Sequence, residues 1–174
     1  DCLLVGMERH DVGRPNDAGY PVRGIIKDNF LYLHNFKPDR WPACDPVTGY
    51  LNCDGSPTKT FILDTRRKKG IMKYWQLSFG KRSSEELYNI IEDPYCMNNL
   101  AEDENFAGLK SAMETEMIQK LTEQCDPRIL GNGDIFDNYP YQGAVQNYYN
   151  RFMAGEKIPA GWVNETDYDA DLKE

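Results

Sequence analysis

Ten consecutive residues, Glu8-Arg9-His10-Asp11-Val12-Gly13-Arg14-Pro15-Asn16-Asp17, bring together both charge signs, an imidazole and an amide. Arg9 and Arg14 carry the planar guanidinium fork that binds carboxylate or sulfate through paired hydrogen bonds. His10 can donate a hydrogen bond or pass a proton near neutral pH, and Asp11 adds a carboxylate. Arg9, His10, Asp11 and Arg14 are therefore the candidate substrate-binding residues, and they suit a polar, anionic ligand. Loops of this composition bind ligands when a rigid scaffold holds them. The same residues also suit a hydrogen-bonded turn leading into the next strand, and their types alone leave both readings open.

Other patterns exclude more than they assign. The five cysteines, Cys2, Cys44, Cys53, Cys96 and Cys125, form no C-x-x-C, and His10 and His34 lie far apart, which argues against zinc. Five free thiols and a short Cys44–Cys53 disulfide are both open. Asp167-Tyr168-Asp169-Ala170-Asp171 imitates the start of a calcium loop, but Leu172 stands where glycine is required. Gly131-Asn132-Gly133 lacks the third glycine of a dinucleotide fingerprint. Nothing in the chain composes a self-sufficient active site.

The 174 residues carry a net charge of −8, a poor match for nucleic acid, whose phosphates must be met by Lys and Arg. No apolar run approaches the roughly 18 residues of a membrane span. Residues 65–82 nevertheless hold Arg66, Arg67, Lys68, Lys69, Lys73, Lys81 and Arg82 and no acid. A solvated helix end accounts for such a run, and so does attraction for an anionic partner. With 40% apolar and 12% aromatic residues the chain can build a core.

The elements that must position these groups follow from local signals. Residues 20–27 and 30–36 alternate as two strands, and Asp28-Asn29 between them suits a two-residue type I′ turn. Residues 37–57 form a long Pro- and Gly-rich excursion. Ser56 as cap, Pro57 at the first position, a basic last turn and Gly70 as stop predict a helix over 57–69. The spacing of Ile71, Tyr74, Trp75 and Ser78 predicts a short helix ending at Gly80. Residues 86–90 read as a further strand. Phe106, Leu109, Met113, Met117 and Leu121 make one stripe of a helix over 103–124. A shorter amphipathic helix is expected over 142–154, and an acidic, frayed tail from Gly161. The fold class is α+β: a small antiparallel sheet of about four strands packed by a long helix, with a helical and irregular C-terminal extension.

Residues 86–101, Glu-Leu-Tyr-Asn-Ile-Ile-Glu-Asp-Pro-Tyr-Cys-Met-Asn-Asn-Leu-Ala, resemble the E-L-Y-D-L-x-x-D-P-x-E-x-x-N-L-A signature near the C-terminus of sulfatases. Glu86, Leu87, Tyr88, Asp93, Pro94, Asn99, Leu100 and Ala101 fall in register. The opening loop, the hairpin with Leu33-His34-Asn35, and Ser56-Pro57-Thr58 are similar to bacterial N-sulfoglucosamine sulfohydrolase (sulfamidase-like) members. The resemblance spans roughly residues 4–125 and implies a sulfatase C-terminal subdomain over 1–125, with an extension over 126–174.

Sulfatases take their nucleophile from a Cys or Ser in C/S-x-P-x-R, converted to formylglycine. Cys44-Asp45-Pro46-Val47-Thr48 has Thr48 where Arg is needed, and Cys125-Asp126-Pro127-Arg128 places Arg one residue early. The resemblance therefore implies a fragment, in keeping with a start at Asp1 that reads as mid-strand. Formylglycine and calcium are expected in a missing N-terminal domain, with no cofactor in this chain. That domain and a sulfated, glycosaminoglycan-type sugar are the expected partners, the location is periplasmic or secreted, and the chain alone is expected to be inactive. Arg9, His10, Asp11 and Arg14 would then line the pocket rim. A non-catalytic carbohydrate-binding or interaction module is the alternative, since Trp41, Trp75, Trp162 and eleven Tyr can stack on sugars.

Overall fold

The computed structural model describes residues 1–170 and 172. In chain order the elements are β1 (Leu3–Met7), β2 (Val22–Lys27), β3 (Phe30–Asn35), α1 (Pro57–Lys69), α2 (Lys73–Phe79), β4 (Glu85–Asn89), α3 (Ala107–Glu123) and α4 (Tyr148–Met153), joined by short 3-10 turns. No helix among the described residues is long and apolar enough to cross a membrane. The chain divides into two compact units that interleave in sequence. This division by compactness is distinct from the boundary at 125/126, which rests on the resemblance.

The first unit holds residues 1–8, 21–38 and 82–138. Its sheet is antiparallel in the order β1-β2-β3-β4. Asp28 and Asn29 adopt positive φ at the β2–β3 turn, as the hairpin geometry requires. Cross-strand pairing lines up Leu4, Ile25, Tyr32 and Leu87 in one row, and Ile25, Tyr32 and Leu87 pack with Met113, Met117 and Leu121 of α3. Along β2, the residues two positions either side of Ile25, on the same face, are charged. Lys27 pairs with Glu116 at 2.6 Å and Arg23 with Asp126 at 2.9 Å. Gly24 lies where a Cβ would come within 2.6 Å of both Leu33 Cδ2 and the Tyr32 carbonyl oxygen, so the sheet leaves no room for a side chain there.

The second unit holds residues 9–20, 39–81 and 139–174. The 37–57 excursion supplies its centre rather than a surface loop: Cys44, Tyr50 and Leu51 are wholly buried. One cluster joins Val12, Cys44, Leu51, Tyr148 and Ile158, and a second joins Tyr50, Leu63, Trp75 and Phe79. α1 begins and ends at the predicted residues. The Ser56 side chain accepts from the Lys59 N–H, and Gly70 closes the helix in the left-handed conformation.

Three expectations are corrected. The helix expected over 142–154 is reduced to Tyr148–Met153, because Gly143 and Asn147 adopt positive φ and interrupt it. The helix expected over 103–124 opens with a 3-10 turn at Glu104–Phe106 before α3. The segment from Gly161 is packed rather than frayed, since Asp167 and Asp169 are buried against cations of α1. The rest of the expected acidic tail, residues 171, 173 and 174, lies outside the described residues.

Candidate functional site

Within the second unit, the backbone from Arg9 to Asp17 is held by its own side chains. Arg9 donates to the carbonyl oxygens of Asp17 at 3.2 Å and Tyr139 at 2.8 Å, with its guanidinium 5.7 Å from the Tyr141 ring centre. Exposed His10 places Nδ1 2.5 Å from Asn52 Oδ1. An amide oxygen can only accept, so Nδ1 carries hydrogen, and in the neutral ring Nε2 is left as the acceptor. Asp11 is half-buried and takes the Val12 N–H at 2.7 Å. Burial pushes its carboxyl up, against the opposing pull of that N–H and of the neighbouring His10.

Arg14 is only 3% exposed. Its Nε and one terminal nitrogen donate to the carbonyls of Trp41 and Pro42, each at 2.7 Å, and the other terminal nitrogen to Ala18 at 3.3 Å. Among the described residues no carboxylate lies within ion-pair distance of it. Burial pulls the guanidinium below its ordinary value, yet an arginine remains charged. The side chain borders a cavity of about 370 Å³ shared with Asn16, Asp39, Arg40, Trp41 and Asp45, within the range of small-ligand pockets. A buried guanidinium at a cavity edge can hold an anionic ligand by charge and paired hydrogen bonds; it lies 5.7 Å from the Tyr20 ring centre, while the Trp41 ring packs edge-on against Trp75.

The four candidate residues do not converge on one point. Arg14 alone borders this cavity; Arg9 and His10 turn to Tyr139 and Asn52. The turn reading describes Arg9, Asp11 and the hydrogen bonds of Arg14, while the cavity leaves Arg14 open to a binding role. Asp39 and Arg40 were not singled out from the sequence. The proline spacing around Trp41 is the one local hint of their region.

Glu8, at the start of the same loop in sequence, belongs to the first unit. There it pairs with Arg23 at 2.7 Å and Arg128 at 2.6 Å, and Arg128 pairs with Asp134 at 3.0 Å. The near-motif at Cys125–Ile129 therefore has a structural role. Asp126 Oδ1 accepts the N–H groups of Arg128 and Ile129, while its Oδ2 takes Arg23. The other near-motif is equally occupied: Cys44 is wholly buried, and the Thr48 hydroxyl donates between the carbonyls of Gly13 and Asp45.

The signature residues brace the strand–turn–helix passage of the first unit. Glu86 accepts from Asn35 Nδ2 at 2.7 Å and from the Tyr88 hydroxyl at 2.5 Å. Asn99 Oδ1 accepts the N–H groups of Leu87 and Ala101, and its Nδ2 donates to the Glu85 carbonyl. Asp93 accepts the Asn98 N–H at 2.8 Å. All five cysteines are free, so the Cys44–Cys53 bridge is not formed. Among the described residues no three His, Cys, Asp or Glu side chains gather as a metal site. Comparison of the chain with protein-family models and with curated proteins finds no match.

Proposed function

We propose that this chain is part of a sulfatase-type hydrolase acting on sulfate esters or sulfamates of glycosaminoglycan-type sugars. In this reading it supplies part of the substrate-pocket rim, and the catalytic group lies in a separate N-terminal domain. The observation that carries the reading is Arg14, a buried guanidinium bonded only to carbonyls at the edge of a cavity that also holds Trp41. Its remaining N–H groups suit a sulfate or carboxylate. His10 Nε2 suits a sugar hydroxyl or the leaving group. The eight in-register signature residues support the family.

Formylglycine and calcium would act outside this chain. Neither Cys44 nor Cys125 is followed by the required arginine, and Asp167 and Asp169 are already paired with Lys59, Arg66 and Arg67. The residues here do not fit either group. A periplasmic or secreted location follows from the resemblance alone.

The test uses the parent protein with its upstream segment. Sulfate release from sulfated and N-sulfated glucosamine saccharides should fall on His10→Ala and Arg40→Ala substitution, with folding unchanged by circular dichroism. Unchanged kcat/KM in both variants would remove the rim role. The 174-residue chain by itself should release no sulfate, and a measured rate would overturn the missing-domain account. The cavity also favours a second reading, a non-catalytic sugar-binding module, because Arg14 and Trp41 come from this chain alone. That reading requires the isolated chain to bind sulfated saccharides when the parent protein has no hydrolase activity.

A further inference from the structure

We infer that the corner where α1 ends and α2 begins is a binding surface for a sulfated, polyanionic polysaccharide, separate from the cavity at Arg14. The choice of a sulfated sugar over other polyanions rests on the proposed function.

Eight consecutive residues, Arg67 to Tyr74, are all exposed. Five cations gather there: Arg66, Arg67, Lys68, Lys69 and Lys73. Among the described residues two carboxylates meet them. Asp169 takes Arg66 and Arg67, and Asp64 takes Lys68 at 2.7 Å. Among the described residues Lys69 and Lys73 have no carboxylate within ion-pair distance. The described residues of this corner thus carry a net positive charge in a chain whose net charge is −8.

Fold stability accounts for only part of this. Cations in the last turn of α1 complement its dipole. Lys73 does the opposite: it stands at the first position of α2, at the positive end of the helix, where a cation is disfavoured. Ile71 and Met72, between the two lysines, and Tyr74, next after Lys73, remain 44%, 48% and 48% exposed. A residue that opposes its local preference, set beside exposed apolar groups, marks a surface shaped for something other than folding. The Tyr74 ring offers a stacking face to a pyranose, and the lysines offer mobile cations to sulfates.

The presentation is fixed. Gly70, in the left-handed conformation, donates its N–H to the Arg66 carbonyl, and Ile71 donates to the Thr65 carbonyl at 3.3 Å. These bonds close the end of α1 and hold the turn between the helices.

The test is retention of the 174-residue chain on immobilised heparin, with the eluting salt concentration and the titrated affinity as readouts. Binding should weaken steeply with salt, and Lys69→Glu/Lys73→Glu should lower affinity by roughly tenfold or more at physiological ionic strength. Lys157→Glu, on an exposed residue elsewhere, should leave it unchanged. Unsulfated heparosan should not compete. The inference is overturned if the double variant keeps its affinity while its Tm is unchanged. Stronger binding to duplex DNA, or binding to phosphatidylserine vesicles without retention on heparin, would also overturn it. Sulfate release by the parent protein is scored separately, so loss of the hydrolase reading leaves this measurement interpretable, and the reverse.

Discussion

Lys59 and Asp167 form an ion pair at 3.1 Å, with side chains 1% and 0% exposed. The same ammonium donates to the carbonyls of Gly49 at 2.9 Å and Cys53 at 2.6 Å. One oxygen of Asp167 also takes the Asn164 N–H, while the other has no hydrogen-bond partner among the described residues. A helix residue thereby ties the central excursion and the C-terminal segment to one point.

Removing either partner leaves an uncompensated charge in the interior. Lys59→Met and Asp167→Ala should each lower stability by about 3–5 kcal/mol, and the double variant Lys59→Met/Asp167→Leu by less than the sum. Urea unfolding of the three variants checks this. Additive losses would show that the pair is not coupled.

Arg14 should be costly to replace for a different reason. Arg14→Met orphans carbonyls of Ala18, Trp41 and Pro42, at about 1–3 kcal/mol for each one that water cannot reach. Arg14→Lys retains charge and some donors and should lose less. For this residue a loss of activity must be read beside the unfolding midpoint, which is why His10 and Arg40 carry the functional test.

In the first unit, Glu85 accepts from Lys110 at 2.8 Å and from the Tyr32 hydroxyl at 2.9 Å. The Lys110 hydrogen bond, with help from Tyr32, holds the Glu85 carboxyl below its ordinary value, and Glu85 holds Lys110 above its own. A carboxylate depressed by folding stabilises the protein above its unfolded pKa, and that contribution is lost as pH falls through the folded value. The lysine's contribution is lost at the other end, as pH rises through its raised value. With both side chains partly exposed, the pair contributes about 0.2–1 kcal/mol near neutrality. Glu85→Gln should therefore show a smaller loss of stability than the parent chain between neutral and acidic pH, measured by urea unfolding across that range. Identical acid dependence would show that Glu85 is not a linked group.

The cysteines should separate by reactivity. Burial pushes the Cys44 thiol up to about 11, and it is wholly enclosed, whereas Cys125 is exposed. Iodoacetamide at mildly alkaline pH should label Cys125 in the folded protein and Cys44 only after unfolding. Mass spectrometry of the labelled peptides decides this. A Cys44–Cys53 disulfide found under non-reducing conditions would contradict the free thiols.

Much of this could be read from the chain because the signals are local. Ser56, Pro57, the basic last turn and Gly70 each act within one turn of backbone, so α1 was legible to the residue. Asp28-Asn29 specified the hairpin through their tolerance of positive φ. The α3 stripe named its own core residues. At α4 the same reasoning overreached, because Asn147 took a left-handed conformation that the apolar spacing does not encode.

The candidate site was legible in composition and illegible in arrangement. Arg9, His10, Asp11 and Arg14 were visible as a polar loop. That Arg14 would be buried against the Trp41 and Pro42 carbonyls, that His10 would meet Asn52, and that Asp167 would reach Lys59 depended on which distant segments pack together. The interleaving of two compact units was hidden for the same reason. Backbone preference and hydrophobic period act over a few residues and are written in the sequence. Burial of a charge is decided by partners far along the chain, and only the folded arrangement brings those together.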